Sequence, residues 1–493
     1  MAATLEDLES FLKAKSSKCS TAADYLAKLG SPSTSVAILD EGKMTAKCFS
    51  TVGDDTETVF QACSISKPVT AMAIMKLVDQ GKLSLDGTLK ELISSDLLKV
   101  MTYGSPNAPK AMVESITIRQ LMSHTAGLSQ HGFPGYSLGN RTGIPTAQQI
   151  IEGGFPVNTM PVRLQNPPGF CFKYSGGGIT LLQLILEATT GLDFATLMQN
   201  LVLGPLEMTR SFYNRLPDSE RNAARAYFTG YTPCADAQHV LPESAAAGLY
   251  TTPTDLLKVV SAVQHSLEVE DGAFLRKETA EEMLTIVKDN MGLSWFVSKE
   301  PGYIFSHGGA NNPGFRCHLT GFADLKKTAS IEIPRRSGIA VMTNSAEGTA
   351  IAYQIIQYIA LIKNWPQVTG KGHFSPLNCP FSLSYDIETG ELWKKWKGTW
   401  VKEDDSIAEN GIECWRIEED AASSKAVVRY GTSCVTRLLP AATPEAKTTT
   451  GEWRQFLLEG LAMAFRFEEK DGKSVVTLLN QATNSETLLV KAS

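Results

Sequence analysis

The chain has 493 residues, 43% hydrophobic and 20% charged, with a net charge of −6. That length exceeds one ordinary core and implies two domains, while the acidic balance and the lack of a basic run with interleaved aromatics exclude a nucleic-acid partner. No apolar stretch approaches the roughly 20 residues that span a bilayer. The opening MAATLEDLESFLKAK carries acids where a leader peptide carries bases and reads as a surface helix. Nine cysteines scattered without paired spacing fit reduced thiols better than a disulfide framework, so a cytoplasmic protein is expected, with no membrane partner.

In chain order, STSVAILDEGKMTAKCFST (33–51) predicts two strands joined at Asp40-Glu41-Gly42-Lys43, a hairpin signal. VFQACSISKPVTAMAIMKLVDQG (59–81) predicts a buried helix, apolar on nearly every face and stopped by Gly81. Residues 85–240 read as helices and Pro/Gly-rich loops. Strands are predicted around Gly292 to Val297, Tyr303 to Ser306, Phe315 to Leu319 and Ile339 to Thr343, followed by an apolar helix closing near residue 365. Strands early and late with helices between them predict an α+β fold, an antiparallel sheet flanked by helices and split by a helical insertion. Residues 366–390 have linker composition. Beyond them, 391–493 read as a small all-β, barrel-like domain, with a strong hairpin around Asp471-Gly472.

The chemistry concentrates at Ser64 and Lys67. Residues three apart on a helix are neighbours, so the two side chains can meet, and a helix start adds positive potential and free N–H groups. A serine hydroxyl is a poor nucleophile until a base takes its proton. A lysine serves as that base only when desolvation or nearby positive charge lowers its pKa from about 10.4. The same S-x-x-K spacing at Ser10 and Lys13 falls in an amphipathic surface helix and signals nothing.

SISK at a buried helix start resembles the first signature of the serine β-lactamase and penicillin-binding-protein superfamily. GFCFKYSGGGITLLQLILEATTG (169–191) resembles that family's Y-x-N segment, with Tyr174, and YIFSHGGANNPGFRCHLTG (303–321) resembles its K-T-G strand in an H-G-G form. LMSHTAGL, AAAGLYTTPTDLLKVV and GIAVMTNS also fit the class C-like, esterase-like branch, and the likeness covers roughly 30–365. The resemblance implies that Ser64 forms an acyl-enzyme and that Lys67 and Tyr174 share the proton relay, leaving open which is the general base. It implies an oxyanion hole from the N–H groups of Ser64 and Ala310, and a substrate-facing strand at His307, Gly308 and Gly309. No metal or cofactor is expected. One departure stands out. Gly176 replaces the Y-x-N asparagine, which contacts the acyl side chain in relatives, and this argues against β-lactam hydrolysis. The implied partner is a small-molecule ester, thioester or amide, in one form a carrier-bound thioester. The branch resembles the family VIII carboxylesterases and the acyltransferases of fungal polyketide pathways, which points to secondary metabolism.

Competing signals are weaker. Gly135-Tyr136-Ser137-Leu138-Gly139 matches G-x-S-x-G, but loop-like segments flank it where a nucleophile elbow needs a strand and a helix. Asn140-Arg141-Thr142 has a glycosylation pattern without a secretory context. His124 and Cys63 read as packed residues, Trp295 as core or pocket lining. Gly398-Thr399-Trp400 resembles a lipocalin opening. A non-catalytic binding protein that kept the fold is the alternative of another class; retention of Ser64, Lys67 and Tyr174 together argues against it.

Overall fold

The computed structural model describes residues 2–16, 19–103, 110–139, 143–228, 232–269, 271–298, 304–323, 333–363, 365, 394 and 396–402. Beyond these it describes the strands 415–419, 426–430, 434–440, 455–458, 463–470, 473–480 and 485–491. The linker-like segment 366–390 and the sequon at 140–142 lie outside the described residues.

Strands β1 (Ser33–Asp40) and β2 (Lys43–Ser50) form the expected hairpin, with Asp40 paired to Lys43 and both turn residues at positive φ, Glu41 at 50° and Gly42 at 82°. A two-stranded ribbon pairs β3 (Phe60–Gln61) with β4 (Tyr250–Thr251). The late strands are β5 (Phe296–Val297), β6 (Ile304–Asn311), β7 (Phe315–Phe322) and β8 (Gly338–Thr343). They join the hairpin in one six-stranded antiparallel sheet of order β2-β1-β8-β7-β6-β5. Ile38 of β1 thus pairs with Ile339 of β8, and the helical region is an insertion between the two halves of one sheet.

Both faces of that sheet are covered, which is why β1 is buried along most of its length. Val36 and Ile38 point to a core shared with the helices Ala2–Ala14, Ala22–Lys28 and Gly348–Ile362. Ala37 and Leu39 point to the larger core under Ser66–Asp79 and Pro253–Glu268, as the two-residue period of a strand requires. The Ser66–Asp79 helix ends as expected. Gly81 takes φ +67°, its N–H reaches Val78 O, and Lys82 N–H reaches Leu77 O, a Schellman arrangement.

The expectation for β5 is corrected. Only Phe296 and Val297 are strand, because Ser294 takes φ +64° and the Gly292 N–H turns back to Trp295 O. The C-terminal strands close into an eight-stranded antiparallel barrel, a meander from Trp415–Glu419 to Ser485–Lys491 sealed by Gly398–Lys402, which pairs with both ends. Its interior is filled by Trp400, Trp415, Ile417, Val428, Phe465, Phe467, Val476 and Leu489. The 463–470 and 473–480 strands pair as the sequence predicted, with Lys470 opposite Lys473.

Candidate active site

Ser64 sits in a 3₁₀ turn, Cys63–Ile65, immediately ahead of the Ser66–Asp79 helix. Cys63 is forced to φ +53°, a conformation that persists only where the surroundings impose it. Here Ala62 N–H bonds to Leu249 O at 2.8 Å, while Ser66 Oγ donates to Cys63 O at 2.6 Å and accepts from Leu249 N–H at 3.0 Å. Ser66 is therefore a brace for the nucleophile turn. Lys67 is almost wholly buried, at 2% exposure. Its Nζ donates to Ala246 O at 2.7 Å and lies 3.1 Å from Ser64 Oγ. Burial pushes its pKa down to about 7, offset in part by the Cys63 thiol. The lysine does not reach out to solvent. A carbonyl and a hydroxyl are the polar atoms its amine meets.

Tyr174 lies on the other side of the pair. Its ring centroid is 5.0 Å from Lys67 Nζ, and burial raises its phenol, the Ser64 hydroxyl offsetting part of the rise. Three imidazoles surround this ring: His124 at 4.3 Å, His131 at 4.8 Å and His307 at 6.2 Å between centroids. His124 is buried and accepts the Ser175 N–H at Nδ1, 3.2 Å. Burial, then Lys67 and the other two imidazoles, hold its pKa well below the ordinary value, so it is a neutral wall against Tyr174. His131 is lowered by burial and by Lys67 in the same way. A protonated imidazole beside Lys67 would be repelled.

The third wall is the edge of the sheet. Within a strand, both polar groups of one residue point the same way and alternate residues point oppositely. Ile304 O accepts the Ser298 N–H on the β5 side, so Ser306, Gly308 and Ala310 face that side too. Because β5 stops opposite Phe305 and Ser306, the polar groups of Gly308 and Ala310 project from an open strand edge. Ala310 itself is exposed. Gly309 packs directly on the nucleophile turn. A Cβ built there would lie 2.6 Å from Ala62 O and 2.9 Å from Cys63 Cβ, whereas one at Gly308 meets nothing closer than His318 Nδ1 at 3.5 Å. His307 is buried, with Nδ1 2.6 Å from Gly308 O and its ring 5.2 Å from Phe296.

The structure therefore brings Ser64, Lys67, Tyr174 and the His307–Ala310 strand around one cleft, and leaves other sequence signals outside its chemistry. Ser137 Oγ bonds to the Asp236 carboxylate and accepts the Gly139 N–H, tying two loops together, and among the described residues no strand precedes it and no helix follows it directly. Trp295 is fully buried against Phe305 and belongs to the core, not to the pocket. Cys63 is buried, with its thiol toward Gln61 O and Phe315 O. Ser10 and Lys13 are exposed on the first helix.

Sequence reading missed His131, Phe133 and Asn311. The Asn311 amide donates to Gln61 Oε1 at 2.8 Å and Ala247 O at 3.2 Å, clamping β6 to the segments that hold Ser64 and Lys67. Its place immediately after the H-G-G-A run was the one available signal. His131 and Phe133 lie in a loop without periodicity, and nothing local marked them.

An antiparallel sheet with helices on both faces, a serine–lysine pair at the mouth of a buried helix and a tyrosine facing it are the features of a β-lactamase-fold serine hydrolase. The Beta-lactamase family matches residues 20–363, and the chain belongs to it. Penicillin-binding protein 4* of Bacillus subtilis (strain 168) is 23% identical over 416 residues, 80% of this chain and 84% of that protein. Among solved structures, the octameric penicillin-binding protein homologue from Pyrococcus abyssi is similar with a TM-score of 0.57 at 21% identity, covering 95% of this chain and 98% of that one. EstCE1, described as a hydrolase with promiscuous acyltransferase activity, gives 0.51 at 19% identity over 68% and 97%. At such identities the structural likeness establishes the fold.

Proposed function

We propose that this chain transfers acyl groups through an acyl-Ser64 intermediate, drawn from an ester, thioester or amide of a small molecule. The observation that carries the reading is the buried Lys67 amine, 3.1 Å from Ser64 Oγ and with a pKa lowered to about 7. An amine with a pKa near 7 is neutral in about half the molecules at neutral pH, and in that form takes the serine proton as Oγ attacks the substrate carbonyl. Burial raises the Tyr174 phenol, so it stays protonated at that pH and acts as a relay, passing its proton to the leaving group as it takes up the one that Lys67 removed from Ser64. This division makes Lys67 the base. Two N–H groups stabilise the developing oxyanion: Ala310 on the open edge of β6, and Ser64 in a first turn whose amides lack acceptors within the helix. Water or an alcohol or amine then attacks the acyl-enzyme, with the same relay run in reverse. The acyltransferase side activity of EstCE1 supports counting transfer beside hydrolysis.

Intact-mass spectrometry after brief exposure to activated acyl esters and thioesters tests this reading. Wild type should gain one acyl mass that maps to Ser64, and Ser64→Ala should gain none. Equal labelling of the two proteins, or no adduct and no turnover across the panel, would defeat it.

A further inference from the structure

Two residues beyond Tyr174 the chain reaches Gly176, whose missing side chain leaves a place that something else fills. The Gly176 N–H bonds to His131 O at 3.2 Å and the Gly177 N–H to Gln130 O at 3.1 Å, strapping the 130–133 loop across the start of the Gly176–Thr190 helix. A Cβ built on Gly176 would lie 2.7 Å from Phe133 Cε2, 3.0 Å from the His131 carbonyl oxygen and 3.4 Å from Phe133 Cζ. The Phe133 ring thus stands where a side chain at 176 would point, next to the residue whose ring faces Lys67. Phe133 is half-buried and packs on the larger core, so the core fixes the ring in place.

We propose that Phe133 is the specificity-determining residue of the acyl pocket, and that the pocket selects short, apolar acyl groups over those bearing an amide beside the carbonyl. This rests on the acyl-Ser64 reading and deepens it. The wall that faces the acyl group offers it little hydrogen bonding. Ser175 Oγ is already spent on Ser129 O at 2.6 Å and the Gly178 N–H at 3.0 Å, and Gly176 to Gly178 have no side chains. The His131 carbonyl is held by Gly176. Near the rings of Tyr174 and His307 stand two more aromatics, Phe172 and Phe296, with centroids 6.3 Å apart. An acylamino group pressed against the Phe133 ring loses its water and finds few partners there beyond the His131 imidazole beside Tyr174, which lowers its acylation roughly tenfold or more. The ring also shortens the pocket, so longer chains meet its edge.

The test measures rates of acyl-Ser64 formation by intact mass. The substrates are p-nitrophenyl esters from acetate to decanoate plus an N-acetylglycyl ester, with Ser64→Ala as the blank. Wild type should favour the short chains. Phe133→Ala should move the optimum to longer chains by about tenfold in relative rate, and Phe133→Leu, which keeps an apolar filler and guards against misfolding, should move it part of the way. Gly176→Asn alone should lose acylation, because its Cβ meets the ring at 2.7 Å and crowds the His131 carbonyl at 3.0 Å; Phe133→Ala combined with Gly176→Asn removes the worse contact and should recover acylation in part and accept the N-acetylglycyl ester. A chain-length profile that superimposes on wild type in both Phe133 variants overturns the pocket assignment, as does a double variant no better than Gly176→Asn. Absence of Ser64 acylation in wild type itself would instead overturn the acyl-enzyme reading on which the assignment rests.

Discussion

A buried lysine whose pKa falls to about 7 has two separate signatures, one in the rate and one in the stability. If Lys67 is the base, kcat/KM should rise with pH along a limb centred near 7, the value to which burial lowers the amine. Its sign for stability follows from linkage. The folded-state pKa is about 7 and the ordinary value is 10.5, so between the two the unfolded chain binds the additional proton. Stability therefore rises with pH across that window, and below about 7 the full cost of burying the amine is present. Lys67→Met should lose activity by about 10²–10⁴-fold. It should nevertheless be more stable than wild type at pH 7, and its denaturation midpoint should stay flat where that of wild type climbs. Urea melts at two pH values inside the window, paired with a pH–rate profile, check both. A midpoint that falls in Lys67→Met would show that its contacts with Ala246 O and Ser64 outweigh its desolvation. This pair was legible in the sequence because a helix start and an i, i+3 spacing are local facts. Phe133 was not. It faces Gly176 across 43 positions of chain, and only folding brings the two together.

At the scale of elements, a short strand makes the site. Sequence periodicity extended β5 back to Gly292, but turns at Ser294 and Gly292 cut it to two residues. That truncation leaves the Gly308 and Ala310 side of β6 without a strand partner. Strand propensity could not predict this, because the stop depends on one left-handed residue in an otherwise apolar run. The two glycines of β6 look equivalent in sequence, yet only Gly309 abuts the turn, with the fixed Ala62 carbonyl 2.6 Å from its built Cβ. Gly309→Ala must push β6 off the turn. A displacement of about 1 Å costs on the order of 10²-fold in rate, so the loss should be of that size and fall on kcat. Gly308→Ala meets only an ordinary contact with His318 and should stay within a few-fold of wild type. Steady-state kinetics on the two variants decide it. Equal damage from both would mean that close approach of substrate, not of the Ser64 turn, is what excludes side chains here.

At the scale of the whole molecule, the six-stranded sheet and the closed barrel share no strand, and each packs its own apolar interior. The alternation and the Asp471-Gly472 hairpin made the β character of the last hundred residues readable. The Gly398-Thr399-Trp400 opening pointed to a barrel as well; the register by which Gly398–Lys402 pairs with strands at both ends of the meander was not readable, because those pairings join residues far apart in the chain. Separate cores permit separate unfolding, and the tryptophans allow it to be seen. Trp393, Trp396, Trp400, Trp415 and Trp453 all lie beyond residue 390, so intrinsic fluorescence reports chiefly on the C-terminal part. Trp400 is fully buried, donates through Nε1 to Trp396 O at 3.0 Å and packs beside Phe467. Trp400→Ala should cost about 3–5 kcal/mol locally, the usual price of a large aromatic in a packed interior. We expect the fluorescence melt to move down by many degrees while the rate of Ser64 acylation at ambient temperature stays at the wild-type value. That result would make the barrel an independently stable unit that is not needed to assemble the Ser64–Lys67–Tyr174 cleft. If acylation were lost along the same melting curve, the barrel and the catalytic sheet would form one cooperative structure, and the C-terminal strands would count among the elements that hold the site.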